Sequence, residues 1–534
     1  MGWKGNREYE LPVIPQRALD DYLGRQFKDY SFMKQVPKAE LRAYANELGF
    51  HYLTEPRTNQ LVCNIISAQE PRWLYLLDMG AGKSKAAFDC VRRLKRLGML
   101  QRALFTAPEF VHIDALEEQL QEHAPDLKYV KLLGDRSERF DLIDKKADIY
   151  FINNAGLQVY MSERKQSKGK GTQVVSADSA AEFAALFNIV HFDEIHRVSS
   201  HDSLTFKLMC WISAGAAFVS AGTGTPFGRD PMMLWPQFKI VDDGATFGLL
   251  GMFRAALFAA KKRYIGKRFT GYDYSFREER APELGRMLLH RSIVYEEHEL
   301  DGERPKVTYL RVPVRMTREQ RMYYDRIRDR MKEVKGDFTS LDNIFTRFRQ
   351  AASGFLSLKD DDESRVEMDM SPNAKIEALR QVVLDMPPDA KFLVFYQFHH
   401  SGKKVRTLLD ELKVPWATLY GRGRMAADGL KQEGQFARFR DEPVRRCRAL
   451  VLQNQAGSEA INPHRAAHWL WFYERPASAI TSQQAEKRIN RLGQPHPCFI
   501  GDLVMLGTVE EALLEYVKDS RDIRQAVYRG EVVL

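Results

Sequence analysis

Seven consecutive residues, Asp78-Met79-Gly80-Ala81-Gly82-Lys83-Ser84, combine a permissive backbone, a fixed positive charge and a hydroxyl. They follow the apolar run Trp73–Leu77 and precede helix-forming Lys85-Ala86-Ala87-Phe88. A strand, a glycine-rich loop, Lys-Ser and then a helix is an arrangement that cradles phosphate. Glycines let backbone N–H groups approach the oxygens at the positive end of a helix. Lys83 suits the β/γ-phosphates, and the Ser84 hydroxyl suits a Mg²⁺ ion. The full G-x-x-x-x-G-K-[ST] spacing asks for glycine at 77, where this chain has Leu77. A tight strand-to-helix turn that happens to contain Gly-Lys-Ser is the plain alternative.

A second constellation lies downstream. The run Asn188–Phe192 ends in Asp193-Glu194-Ile195-His196. Two carboxylates at the end of a buried strand are costly unless they serve a cation or act as a base. Asp193 is placed to hold Mg²⁺, and Glu194 to orient and deprotonate an attacking water. His196 could couple this site to the next segment, Ser220-Ala221-Gly222-Thr223-Gly224-Thr225-Pro226. That segment suits a loop that senses the terminal phosphate, or a simple Gly/Pro turn. A zinc protease is excluded, because the chain has no H-E-x-x-H helix.

The elements that must carry these residues show as short apolar runs of about five residues, the pattern of strands buried on both faces. In the first half they are Trp73–Leu77, Ala103–Thr106, Asp148–Ile152, Asn188–Phe192 and Ala217–Ala221. In the second half they are Lys391–Tyr396, Trp416–Tyr420, Arg448–Gln453, His468–Tyr473 and Phe499–Met505. The stretches between them are long enough for crossover helices, so both halves read as parallel α/β sheets. The Arg-, Lys-, Phe-, Tyr- and Met-rich stretch 246–365 reads mostly as helix. Glu163–Ser179 and Lys359–Ser364 read as solvated loops.

At about 150 residues per domain, 534 residues suggest roughly three to four domain-sized units. With 44% hydrophobic and 28% charged residues, the chain is excluded from the disordered, collagen-like and disulfide-scaffold classes. Lys and Arg number 80 against 71 Asp and Glu, a net charge of +9 that permits a polyanionic partner without requiring one. Five scattered cysteines, none in a C-x-x-C pair, argue against zinc and against disulfides. The first residues lack the apolar core of a signal peptide, and no run of about 18 uncharged apolar residues occurs. The expectation is a soluble intracellular protein, cytoplasmic, and in the host cytoplasm if viral.

In this order, Met-Gly-x-Gly-Lys-Ser, Asp-Glu-x-His-Arg and Thr-Gly-Thr-Pro resemble the motor of superfamily two helicases, specifically the Swi/Snf-type ATPases. Gln484-Ala485-Glu486-Lys487-Arg488-Ile489-Asn490-Arg491-Leu492-Gly493-Gln494 is similar to the family's Q-A-x-x-R-x-x-R-x-G-Q motif, and Gly507-Thr508-Val509-Glu510-Glu511 to its G-T-[IV]-E-E segment. Ala456-Gly457-Ser458-Glu459-Ala460-Ile461-Asn462 resembles A-G-G-x-G-L-N. Thr106-Ala107-Pro108, Ile152-Asn153-Asn154 and Phe395-Tyr396-Gln397-Phe398 resemble motifs Ia, Ib and IV. Thr317 to Tyr324 resembles the L-T-x-x-Q-x-x-x-Y segment. The likeness covers about residues 55–520, and the compact form resembles bacterial and bacteriophage members. Ile195 replaces the usual Ala or Gly of D-E-A-H, and Ser458 and Ala460 replace two glycines.

The resemblance implies an α/β fold of two RecA-like parallel-sheet lobes with helical insertions between them and ATP in the cleft. The expected division is an N-terminal extension 1–50, lobe 1 over 51–245, a helical protrusion region 246–365 and lobe 2 over 366–534. Gln60 would read adenine, and Met79, Gly80, Ala81, Gly82, Lys83 and Ser84 would hold the nucleotide. Ser84 and Asp193 would hold Mg²⁺. Arg488 and Arg491 would be arginine fingers beside Glu194, Asp193 and Lys83 in catalysis; without the family they read as one face of a basic helix. The implied function is a DNA-dependent ATPase translocating on double-stranded DNA and remodelling or displacing bound proteins, with a strand-separating helicase of replication, recombination or repair as the alternative. Three basic stretches are candidates for phosphate contacts: Arg92–Arg96, Lys261–Tyr264 and Arg445–Arg448.

Overall fold

In the computed structural model of the protein, the described residues are 14–78, 80–167, 170–198, 200–224, 230–265, 268–295, 297–302, 304–333, 338–359, 365–419, 434–457 and 461–518. The chain divides into two compact units, Met1–Asp301 and Gly302–Leu534. No helix among the described residues is long and apolar enough to cross a membrane. All five cysteines are free, with Cys63, Cys447 and Cys498 buried.

The first unit is built on a seven-stranded sheet, parallel at every pairing. Its strands are β1 (Arg72–Leu77), β2 (Ala103–Ala107), β3 (Tyr129–Lys131), β4 (Ile149–Asn153), β7 (Ile189–Asp193), β8 (Phe218–Thr223) and β11 (Ser292–Tyr295), in the order β11-β1-β8-β7-β2-β4-β3. β1, β2 and β4 are buried almost throughout, which is why they show in the sequence as unbroken apolar runs. Phe88 stacks on Phe105, and Phe151 meets both rings edge-on, tying the helix after the glycine-rich loop to the sheet centre.

Two further pairs of strands leave this sheet as separate antiparallel hairpins: β5 (Ser162–Ser167) with β6 (Lys170–Val175), and β9 (Phe258–Ile265) with β10 (Arg268–Phe276). The stretch expected to be a loop, Glu163–Ser179, is therefore mostly a hairpin followed by a helix from Ala177. Its exposed polar rungs carry no apolar alternation to betray a strand.

The second unit holds a six-stranded parallel sheet of β12 (Val307–Val314), β15 (Phe392–Tyr396), β16 (Trp416–Leu419), β17 (Ala449–Gln453), β18 (Trp469–Phe472) and β19 (Cys498–Met505), ordered β12-β19-β18-β15-β17-β16. A hairpin of β13 (Phe355–Lys359) and β14 (Arg365–Asp369) completes its strands. Of the acidic run expected to be a loop, residues 360–364 lie outside the described residues.

The stretch 246–365 mixes helices, among them Leu250–Leu257 and Ala281–Leu289, with strands and is shared between the two units. Its first part gives unit 1 the β9–β10 hairpin and the edge strand β11; its later part gives unit 2 the edge strand β12, helices Arg318–Glu333 and Phe338–Ala352, and β13. Its basic and aromatic composition masks strands whose other face is solvent or another strand.

The segment before residue 58 packs along unit 1. It contributes α1 (Gln16–Leu23) and α2 (Lys38–Glu47). Tyr22 donates to the Phe247 carbonyl at 2.7 Å and Arg25 to that of Thr246 at 2.7 Å. Lys28 and Tyr30 both donate to the buried Glu70. A segment without a chemical motif thus braces the helix that carries Gln60.

Candidate functional site

The glycine-rich loop joins β1 to α4 (Lys83–Arg96). Gly80 and Gly82 lie in the left-handed region at φ 80° and 81°, where glycine is favoured. A Cβ on Gly82 would sit 2.0 Å from Gln60 Nε2, so a side chain at 82 would displace that amide as well as strain the backbone. Leu77, which departs from the glycine template, is the last strand residue, and its carbonyl accepts a hydrogen bond from Lys83 Nζ at 3.2 Å. Lys83 and Ser84 are each only 8% exposed.

Three side chains from the start of the preceding helix, α3 (Thr58–Gln69), and its N-cap hold three successive loop carbonyls. Arg57 donates to Gly80 O at 2.7 Å, Asn59 to Ala81 O at 2.9 Å and Gln60 to Gly82 O at 3.1 Å. Gln60 Oε1 also accepts the Arg57 N–H at 2.9 Å. The amide that the resemblance assigns to adenine is thus engaged on both sides by the chain itself. The start of α3 is fixed in turn by Asp301, whose Oδ2 accepts from the Thr58 N–H at 2.6 Å and hydroxyl at 2.8 Å. Of the residues that hold the loop, only Gln60 is marked in the sequence; Arg57, Asn59 and Asp301 carry no motif. Met79 lies outside the described residues.

The acidic pair ends β7, one strand away from the loop strand. β8 lies between them: Gly222 is opposite both Tyr75 of β1 and Asp193 of β7. Without a side chain, Gly222 leaves room for Lys83, whose Cδ would be 3.4 Å from a Cβ there. Burial, aided by the Glu194 charge and opposed by Lys83, pushes the Asp193 carboxyl up to about 7. Burial acts in the same direction on Glu194, but the His196 hydrogen bond and the Lys83 charge outweigh it and hold that carboxyl well below the usual range. Glu194 sits at φ 48°, ψ 49°, a left-handed conformation uncommon outside glycine and concentrated at functional sites.

His196 Nδ1 is 3.1 Å from Glu194 Oε2 and 2.9 Å from Thr223 Oγ1. The expected link between the acidic pair and the next segment therefore exists as one shared imidazole nitrogen. Ile195, in place of the usual small residue, is buried and opens the short 3₁₀ turn that carries His196. Thr225 and Pro226 lie outside the described residues. Thr106, next to last in β2, and Asn153, last in β4, lie on adjacent strands, with Thr106 opposite Ile152 and Ala107 opposite Asn153.

In the second unit, Arg488 and Arg491 lie not on a helix face but in the turns beyond helix Ala479–Glu486. Arg488 donates to Ile461 O at 3.2 Å and to Gln484 O at 3.3 Å, and Arg491 donates to Asn462 Oδ1. Two separately quoted motifs thus meet side by side; Ser458, Glu459 and Ala460 lie outside the described residues. Burial, with the charges of Arg491, Arg465 and Arg488, brings His464 down to about 4.

The remaining unit 2 motifs are structural in what they touch. Thr317 and Gln320 form a reciprocal cap at the start of helix Arg318–Glu333. Tyr324 of that helix accepts the Val509 N–H at 2.7 Å, and Glu510 pairs with the fully buried Lys375 while accepting the Met505 N–H at 3.0 Å. The Gly507–Glu511 segment therefore locks the end of β19 to two helices.

Residues of all three basic stretches are engaged within the fold, Arg263 by Asp273 at 3.2 Å. Arg92 reaches Asp126 at 2.8 Å, Arg93 the Leu48 carbonyl at 2.6 Å and Lys95 Asp148 at 2.8 Å. Arg448 donates to the Pro387 carbonyl at 2.9 Å. Lys261, Lys262 and Arg263 are exposed on β9.

No protein-family model matches the sequence. The chain is 22% identical over 517 residues to the CHD3-type chromatin-remodeling factor PICKLE of Arabidopsis thaliana, an alignment spanning 92% of this chain and 34% of that protein. It is 21% identical over 534 residues to human chromodomain-helicase-DNA-binding protein 1, spanning 94% of this chain and 29% of that one. The chain thus spans about a third of the length of these relatives. Among solved structures it is similar to the Sulfolobus solfataricus SWI2/SNF2 ATPase core in complex with dsDNA, at 18% identity and a TM-score of 0.38, covering 90% of this chain and 95% of that one. The motifs are seated in order on two parallel sheets, and the sequence aligns along nearly its full length with these chromatin-remodeling and chromodomain-helicase relatives, to which the chain is similar.

Proposed function

We propose that the protein is a DNA-dependent ATPase that couples ATP hydrolysis to movement along double-stranded DNA and remodels or displaces what is bound there. The observation that carries this reading is the three-strand adjacency of β1, β8 and β7. It brings Lys83, Thr223 and the Asp193–Glu194 pair to one edge of one sheet, with Lys83 close enough for its charge to help hold the Glu194 carboxyl ionised.

Within the reading, the loop from Gly80 to Ser84 takes the phosphates and Lys83 neutralises them. Ser84 and Asp193 hold Mg²⁺, which when bound supplies charge neutralisation at the phosphate oxygens. Such an ion usually takes only one or two protein ligands, keeping waters and phosphate oxygens for the rest. That fits an edge where, among the described residues, no three His, Cys, Asp or Glu side chains gather as a metal cage. Glu194, kept ionised by His196, orients and deprotonates the attacking water. Arg488 and Arg491 supply permanent charge to the transferring phosphoryl group.

The test is ATP turnover with and without duplex DNA, alongside strand displacement on a forked duplex. The reading expects duplex-stimulated turnover and intact strands. Turnover indifferent to duplex DNA would contradict it, and release of a strand would move the assignment to a strand-separating helicase.

A further inference from the structure

The chain's modest +9 charge is not spread evenly. Between residues 162 and 175 the sequence carries Arg164, Lys165, Lys168 and Lys170 against Glu163, a net +3. Between 258 and 276 it carries Lys261, Lys262, Arg263, Lys267 and Arg268 against Asp273, a net +4. Arg164 and Lys165 of the first stretch and Lys261, Lys262 and Arg263 of the second lie on two hairpins that, among the described residues, stand outside the sheet of unit 1.

Their patterning is unusual for a hairpin. Lys261 faces Asp273 across the ladder, Lys262 faces Tyr272 and Arg263 faces Gly271. Successive strand residues point to opposite faces. Lys261 and Arg263 therefore project from one face and Lys262 from the other, and all three are exposed. The β5–β6 hairpin repeats this, with exposed Arg164 opposite Gln173 and Lys165 opposite Thr172. Some of this charge is met locally, Arg263 by Asp273 at 3.2 Å and Lys165 by Glu163 at 3.2 Å. These exposed pairs are weak and readily exchanged for other anions.

Phe258, Tyr274 and Phe276 seat the ribbon's base on the core of unit 1, and beyond them it carries basic residues on both faces. An isolated two-stranded hairpin is only marginally stable in water. The β9–β10 ribbon is held at its base instead, where the rings of Phe258 and Phe276 lie 5.6 Å apart and Phe258 packs on Phe253 at 5.4 Å. From that base, eight residues of β9 reach roughly 25 Å at about 3.3 Å each. The partner such a ribbon fits presents negative charge on both sides of a slot wide enough for two strands. The major groove of duplex DNA, walled by phosphates and able to admit a two-stranded ribbon, has that form.

We propose that β9–β10 and β5–β6 are two arms that grip the phosphate walls of duplex DNA. This inference rests on the duplex-DNA reading of the function. It uses no base contact, so the grip is independent of sequence.

The test measures equilibrium binding of the full chain to duplex DNA as a function of salt. Each lost phosphate contact should lower the slope of log binding constant against log salt by about 0.9. A first variant neutralises Lys261, Lys262 and Arg263 to Gln; a second neutralises Arg164 and Lys165. The first should lower the slope by about 2–3 and the second by about 1–2, with DNA-free ATP turnover unchanged. A third neutralises exposed Lys128, Lys145 and Lys146 of the same unit and should leave the slope as in the wild type. Ribbon variants that keep the wild-type slope overturn the arms while the duplex-DNA reading stands, and a third variant that loses as much slope as the first overturns them equally. A wild-type chain that does not bind duplex DNA removes both the arms and the reading on which they rest.

Discussion

His196 and Thr223 are joined at 2.9 Å through the same imidazole nitrogen that lies 3.1 Å from Glu194. A carboxylate at the end of β7 and a hydroxyl at the end of β8 thus compete for one nitrogen, and any shift of either strand end changes what the other receives. Removing one partner of such a bond costs about 1–3 kcal/mol, or roughly 5–150-fold. Thr223→Val is predicted to lower the ratio of DNA-stimulated to DNA-free ATP turnover within that range while leaving nucleotide binding in place. Steady-state turnover with saturating duplex checks it; an unchanged ratio would separate Thr223 from the coupling.

Gly82 is pressed against Gln60 and holds a left-handed φ of 81°. Gly82→Ala must displace the amide that fixes the loop carbonyl and also place a Cβ where it costs roughly 1–2 kcal/mol. The expected outcome is a loss of nucleotide affinity of about tenfold or more, read by titration with a non-hydrolysable ATP analogue. Adding Gln60→Ala relieves the collision but not the backbone cost, so the double variant should recover only part of the affinity. Full recovery would assign the whole effect to the collision.

Lys375 is fully buried and Glu510 is 8% exposed, so their ion pair has little solvent to fall back on. Deleting one member of a buried pair strands the other charge, typically at about 3–5 kcal/mol. Lys375→Met is predicted to destabilise unit 2 by about that amount in chemical denaturation, and adding Glu510→Gln should restore part of it. A single variant as stable as the wild type would show that the pair is hydrated.

His464 gives a pH dependence with a definite sign. In the fold, burial and the neighbouring arginines keep it neutral down to about pH 4, whereas its ordinary value is 6.5. Below pH 6.5 the unfolded chain takes up a proton that the folded chain refuses, so this contribution to stability falls as pH drops toward 4. His464→Gln should flatten the pH dependence of the unfolding free energy between those limits. Parallel wild-type and variant curves would contradict the assigned shift.

The two sheets were legible because their strands are buried on both faces and so leave unbroken apolar runs, as Phe392–Tyr396 does. The hairpins were not, because rungs such as Arg164–Gln173 and Lys262–Tyr272 bury nothing. The loop, the acidic pair and Thr223 could be found from residue type and order, since phosphate chemistry restricts both. Asp301 could not: it lies more than two hundred residues from Thr58, and only the folded chain brings them together. The Lys375–Glu510 pair, 135 residues apart in sequence, was hidden for the same reason.

The central claim is that Glu194 activates water in a duplex-stimulated ATPase. Its most direct measurement is ATP turnover by the wild type and by Glu194→Gln at saturating ATP, across a titration of duplex DNA. General-base removal typically costs about 10²–10⁴-fold. The account predicts wild-type turnover that rises with duplex, and a variant that still binds ATP but falls by at least about a hundredfold at every DNA concentration. A variant that hydrolyses ATP at the wild-type rate would contradict it.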